Sequence, residues 1–201
     1  MATSSSPADT SAPSHVVEVG VVGSARIGPD DARYADAQRL GGALAGRGWT
    51  VVTGGYGGLM GATSGGAAAV GGHTVGLPMS DWKHLTPHES NAELRWAVDY
   101  AERLRYLMAA DVVVALPGGI GTLSEAAMVW AAAQTEPGAA QLVLVGDAWR
   151  SVRDAIGGGL VVDQDDLALA RCVDTVDDVV DAVDAVLRAI GRSRTVRGAR
   201  G

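Results

Sequence analysis

Three times in this chain a short run of valines breaks off into glycine and is followed by small residues at helical spacing. The segments are V-V-E-V-G-V-V-G at 16–23, T-V-V-T-G-G at 50–55 and D-V-V-V-A-L-P-G-G at 111–119. Valine runs without polar alternation read as strands covered on both faces. Such strands alternating with helices specify an α/β fold with a doubly wound, mostly parallel, Rossmann-like sheet in a single domain. In such a sheet the ligand sits beyond the carboxyl ends of the strands, the edge at which all three glycine turns fall. The chain has 28 glycines in 201 residues, and many are clustered in these turns rather than scattered.

The rest of the chain fits the same alternation. The first strand lies within 15–23, and a helix over 31–47 opens behind Pro29-Asp30-Asp31. The second strand is 49–53, an Ala-rich helix runs on to Val70, and a third strand covers 74–77. A long connection from Pro78 through Pro87 leads to a helix over about 91–109, read from apolar positions Leu94, Val98, Ala101, Leu104 and Met108. The fourth strand is 111–116 and its helix runs over 123–134. A fifth strand at 141–145, a short helix at 149–156, a sixth strand at 170–173 and a helix at 176–190 complete the domain, 15–190. Residues 1–14, rich in Ser, Ala, Thr and Pro, read as a disordered tail, and 191–201 as a basic tail.

Composition excludes several classes. The formal net charge is −7, whereas a duplex nucleic acid or an anionic membrane calls for a basic face. The single cysteine, Cys172, cannot build a disulfide or a cysteine metal site and reads as a small hydrophobe. No apolar run approaches ~20 residues, so no membrane span is expected. The start of the chain lacks a secretory pattern. A cytoplasmic location follows from these readings.

A small anion needs no net positive charge. A strand that ends in glycine and enters a helix brings backbone N–H groups and the positive end of the helix dipole to one point. Gly118, Gly119, Gly121 and Thr122 form such a turn, with the Thr122 hydroxyl as an extra donor. The G-G-Y-G-G-L-M-G stretch at 54–61 forms another, with Gly54, Gly55, Gly58 and Met60 as candidate contacts, and Gly23-Ser24 lies at the same edge. Neither loop carries the G-K-[ST] of a Walker motif. One glycine loop alone is as often a tight strand–helix connection; two at one sheet edge point to a bound phosphate.

V-V-G-S at 21–24, G-G-Y-G-G-L-M-G at 54–61 and P-G-G-I-G-T-L-S-E at 117–125 resemble the LONELY GUY family, over about residues 15–190. Its members, once mislabelled lysine decarboxylases, are nucleoside 5′-monophosphate phosphoribohydrolases that release cytokinin-type bases. The resemblance implies hydrolysis of the N-glycosidic bond of a nucleoside 5′-monophosphate, AMP or an N6-substituted AMP, without a cofactor or metal. It also implies a homodimer. The family's catalytic glutamate maps onto Glu125. Its arginine, about nine residues before the aspartate that opens the next strand, falls at Glu102 when counted from Asp111. A helix end shorter by one residue places Arg103 in register; Arg105, two residues on, faces another direction. The chain departs from the family pattern at Thr53, where a third glycine is usual, at Tyr56, at Ser124 in place of a second acid, and in the segment 84–89.

Other readings follow the same residues. A non-catalytic nucleotide or molybdenum-cofactor carrier would use the same glycine loops. An NAD(P)-linked oxidoreductase needs the dinucleotide fingerprint after the first strand, which is missing. Lysine decarboxylation finds only Lys83, in a loop. His84 and His88 with Glu89 have ligand-like spacing, but Pro87 breaks the helix that would align them. Asp163, Asp165 and Asp166 read as a solvated turn, because a calcium loop's later glycine and glutamate are missing. Trp82, Trp96, Met60 and Met108 are candidates for either a base pocket or the core, and Trp130 for a subunit contact.

Overall fold

A computed structural model describes residues 15–191; the predicted tail 1–14 and residues 192–201 of the basic tail lie outside the described residues. The strands are β1 (Glu18–Val22), β2 (Thr50–Thr53), β3 (Thr74–Gly76), β4 (Glu93–Leu94), β5 (Val112–Ala115), β6 (Gln141–Val145) and β7 (Ala170–Val173). The α-helices are α1 (Ala32–Gly46), α2 (Gly58–Ala69), α3 (Tyr100–Met108), α4 (Ile120–Thr135), α5 (Asp147–Gly159), α6 (Gln164–Ala168) and α7 (Val179–Ala189), with a 3-10 turn at Val176–Asp178. The strands form one parallel sheet in the order β4-β3-β2-β1-β5-β6-β7.

The valine runs are covered on both faces, as their lack of alternation requires. Val19, Val21, Val51, Val112 and Val114 pack with Leu40 and Leu44 of α1, Leu59 of α2 and Val183 and Leu187 of α7. Val52, Val113, Leu142 and Leu144 pack on the other face with Leu107 of α3, Val129 of α4 and Trp149 of α5. Glycine sets the distance between α1 and α2. A Cβ on Gly41 would fall on the Thr63 carbonyl, and one on Gly66 would fall on the carbonyl of Gln38. The backbones of the two helices therefore touch directly.

The chain leaves β1 toward β2, β3 and β4, then returns to the opposite side of β1 as β5. The order reverses between β1 and β5, so the loops after these strands diverge onto opposite faces and leave a crevice.

The structure corrects the expected elements in four places. The helix predicted over 91–109 begins only at Tyr100, because Asp99 caps it by accepting the Glu102 N–H at 2.7 Å. Residues before it are extended. Glu93 and Leu94 pair with Val75 and Gly76, and Ala97 bridges Met79. Arg95 holds this edge strand by bonding both Glu18 carboxylate oxygens, at 3.1 and 2.8 Å, and Glu93 at 2.7 Å. The apparent stripe at Leu94 and Val98 faces solvent. The sheet thus has seven strands rather than six. The fourth helix starts at Ile120, three residues before Leu123, with Gly119 as its cap, and α5 extends beyond 149–156 at both ends. The 163–166 segment is the capped start of α6, where Asp163 and Asp166 bond each other's backbone N–H. No described helix is long and apolar enough to cross a membrane.

Candidate active site

Backbone hydrogen bonds stitch the glycine turns into one floor. The Ser24 N–H donates to the Pro117 carbonyl at 3.1 Å, and the Leu59 N–H donates to the Ser24 carbonyl at 2.9 Å. The connection after β3 is tied on as well, by His88 N–H to the Gly55 carbonyl at 2.7 Å and by the Asn91 amide to the same oxygen at 3.0 Å. Above this floor is a cavity of about 590 Å³.

Eight of the sequence-predicted residues line the cavity: Gly23, Ser24, Met60, Arg103, Gly119, Gly121, Thr122 and Glu125. The others act from behind. Gly55 and Gly58 have φ of +83° and +69°, a region that favours glycine. Gly58 also lies so close to Ser24 and Ala25 that a Cβ would strike their backbone. A Cβ at Gly118 would fall against the Thr122 side chain. Gly54 is a spacer of another kind: a Cβ there would collide with the Arg103 guanidinium and with the Met60 sulfur.

Gly119 and Gly121 are different again. A Cβ at either would meet no heavy atom within 4 Å, so packing does not require glycine there. Their bareness keeps the mouth of the α4 N-terminus open. No side chain caps α4 or α2, and the α4 dipole points its positive end into the cavity. Such an arrangement of backbone donors suits a small anion.

Facing it are two buried charged side chains. Arg103, at the end of the first turn of α3 behind the Asp99 cap, is 5% exposed, and Glu125, in the second turn of α4, is 7% exposed. Arg103 Nη2 donates to Glu125 Oε1 at 3.0 Å. Burial pushes the Glu125 carboxyl above its usual range, and the Arg103 charge opposes that rise. Arg105 is exposed.

Trp82, a candidate for the base pocket or the core, lines the cavity, and Tyr56, Tyr100, Arg26, Leu85 and Thr86 line it without having been among the candidate contacts. Tyr56 stacks on Trp82 with ring centroids 5.9 Å apart, and the Arg103 guanidinium lies 5.5 Å from the centroid of the Trp82 ring. Tyr100 reaches Ser124 by a hydroxyl hydrogen bond of 3.2 Å. Arg26, Leu85 and Thr86 complete the rim. A second cavity of about 600 Å³ adjoins this one across Ser24, Arg26, Gly119 and Ile120, and Leu123, Trp149 and Val152 line its apolar side. It holds no buried acid. Trp96 is exposed, and the Trp130 indole N–H donates to the Asp166 carbonyl at 2.7 Å. His88 lies against Gly61 rather than beside His84. Among the described residues no group of three or more His, Cys, Asp or Glu is placed to hold a metal ion. Cys172 is half-buried on β7, and burial pushes its thiol up.

The sequence profile of the SLOG cluster4 family matches residues 16–136, the stretch from β1 through α4 that supplies every lining residue of the cavity holding Arg103 and Glu125. The chain belongs to the SLOG cluster4 family. It is 40% identical over 98 residues to the cytokinin riboside 5′-monophosphate phosphoribohydrolase of Mycobacterium tuberculosis and 41% identical to that of Mycobacterium marinum. These alignments cover 47% of this chain and 52% of each relative, so the chain spans about half the length of the curated relatives it matches. The expected likeness to the LONELY GUY family stands on the family match and these two relatives. The fold superposes on the molybdenum cofactor binding protein of Rippkaea orientalis with a TM-score of 0.70 at 22% identity, over 86% of this chain and 98% of the other. That likeness is one of fold.

Proposed function

We propose that this SLOG cluster4 protein hydrolyses the N-glycosidic bond of a nucleoside 5′-monophosphate, AMP or an N6-substituted AMP, to free base and ribose 5-phosphate. The observation that carries the reading is the buried Arg103–Glu125 pair facing the open N-terminus of α4 across one cavity. The phosphate docks on the backbone donors at Gly119, Gly121 and Thr122, which brings the ribose over Glu125. Fixing the substrate at one end in this way removes much of the entropic cost of aligning the other.

The reaction passes through an oxocarbenium-like sugar. The bond from C1′ to the base nitrogen breaks, its electron pair leaves with the base, and the base takes up a proton from solvent, which regains one when Glu125 releases the proton it takes from water. Water oxygen bonds to C1′ and gives its proton to the Glu125 carboxylate. The negative charge of that carboxylate also stabilises the cationic sugar, in a site dry enough to make the interaction strong. Arg103 orients Glu125 and faces the substrate. Because burial holds the Glu125 carboxyl above its usual range, activity falls with falling pH through a midpoint above that of an ordinary carboxylate.

A homodimer completes the particle. Ile120, Leu123 and Met128 of α4 are all exposed, the first two beside the second cavity, and a helix apolar on both sides calls for cover. Sedimentation of the protein tests this.

The test of activity is base release from AMP, N6-isopentenyl-AMP, GMP, CMP, UMP and their deoxy forms, followed by chromatography, beside Glu125→Ala. Base and ribose 5-phosphate formed only by the wild type support the hydrolase. No release from any of them, with nucleotide binding retained in calorimetry, overturns it and leaves a carrier.

A further inference from the structure

Arg103 presents five N–H donors in a fixed fork, and a single hydrogen bond, to Glu125, holds its head. One bond does not fix the plane of a guanidinium. The space around it does. The bare Cα of Gly54 admits it on one side, and the Trp82 ring lies 5.5 Å away. Trp82 belongs to the connection after β3, which carries no regular element between β3 and β4. That segment is nevertheless held by the glycine loop itself. The buried Tyr56 hydroxyl accepts the Met79 N–H at 2.9 Å, and the Tyr56 ring stacks on Trp82 at an interplanar angle of 26°. A continuous chain of contacts therefore runs from the loop after β2, through Tyr56, Trp82 and Arg103, to Glu125.

We infer that Tyr56 and Trp82 are positioning residues: together they clamp Arg103 in the orientation in which it faces Glu125. The aromatic face attracts the cation without competing for its N–H donors, so the donors stay available for Glu125 and substrate. Tyr56 supplies the anchor, because its hydroxyl satisfies a buried backbone donor that would otherwise hold the segment poorly. The ionisable groups lining the cavity are Arg26, Arg103, Glu125 and the phenols of Tyr56 and Tyr100. Arg103 is the one bonded to Glu125, so loosening it is felt first at that carboxyl.

The kinetic half of this inference rests on the proposed hydrolase activity; the titration half does not. The experiment compares wild type with Trp82→Ala, Trp82→Phe and Tyr56→Phe. It reads kcat and KM for the released base, and the Glu125 carboxyl midpoint by ¹³C NMR, assigned with Glu125→Gln. Trp82→Ala is expected to raise the Glu125 midpoint by about half a pH unit or more and to lower kcat about tenfold, with KM within about threefold. Trp82→Phe keeps an aromatic face and restores most of both. Tyr56→Phe keeps the ring and loses the anchor, so it shifts both readouts in the same direction by less, and it carries the test if Trp82→Ala fails to fold.

An unmoved Glu125 midpoint in Trp82→Ala overturns the inference, as does a Trp82→Phe variant as impaired as Trp82→Ala. If the wild type releases no base, the hydrolase reading fails by itself, and the Glu125 titration still decides whether the clamp exists.

Discussion

Replacing Arg103 with methionine leaves the Glu125 carboxylate buried without its counter-charge. Glu125 is 7% exposed and its one hydrogen-bonded cation is Arg103. Removing one member of such a pair costs about 3–5 kcal/mol where the survivor must stay ionised. For a domain of this size each kcal/mol lowers the melting temperature by about 2–4 °C, so Arg103→Met should melt roughly 10 °C below wild type at pH 8. The sign of the pH dependence follows from the direction of the Glu125 shift. Burial raises its folded-state value, and loss of Arg103 raises it further. A carboxyl raised on folding takes up a proton more readily in the folded state. Its destabilising effect is therefore absent below the unfolded value and grows as pH rises toward the folded one. The deficit of Arg103→Met against wild type should be small at pH 5 and full at pH 8. Arg103→Met combined with Glu125→Gln removes both charges and should regain most of the lost stability, to near or above wild type. Thermal melts of the three proteins at both pH values make the measurement. A deficit at pH 8 within about 2 °C, or one equal at both pH values, refutes the account of a buried, mutually dependent pair.

Four more substitutions test the rest of the site and the packing beneath it. Gly54→Ala places a methyl on the Arg103 guanidinium; kcat for base release should fall about 100-fold or more while the fold persists, as circular dichroism would show. Gly119→Ala and Gly121→Ala meet no protein atom within 4 Å. They should leave stability within about 1 kcal/mol yet weaken AMP binding about tenfold or more in calorimetry, because the methyl occupies the anion's place. Gly41→Ala drives α1 against the backbone of α2 at Thr63 and should cost about 1–3 kcal/mol in urea unfolding.

The alternation of valine runs and glycine turns was enough to read the layered sheet, because burial on both faces is a local compositional signal. Glu125 was legible for a related reason: its distance from the glycine turn is set within one helix, and a one-turn error in the helix start moves nothing across an interface. Arg103 lies on a different helix, and its spacing to Asp111 left Arg105 as a rival; only the Asp99 cap, which fixes the phase of α3, separates them. The β4 edge could not be read from its neighbours. Two residues of strand held by Arg95 against Glu18, 77 positions earlier, carry no local pattern. Tyr56 stood out only as a departure from the family pattern, since its partner Trp82 comes from a segment without periodicity. The glycines at 54, 55, 58 and 118 were legible as special but not as to purpose: as spacers behind the cavity they look, in sequence, the same as those that face it.

The bonds that join the floor of the cavity, Ser24 to Pro117, Leu59 to Ser24 and His88 to Gly55, run from main chain to main chain. They are indifferent to which side chains those positions carry. Mutation can thus rewrite the walls, as at Arg26, Leu85 or Thr86, while the cradle keeps its shape. A lineage built on this frame is free to trade one base, or one small-molecule guest, for another by point substitutions alone, without passing through an unfolded ancestor.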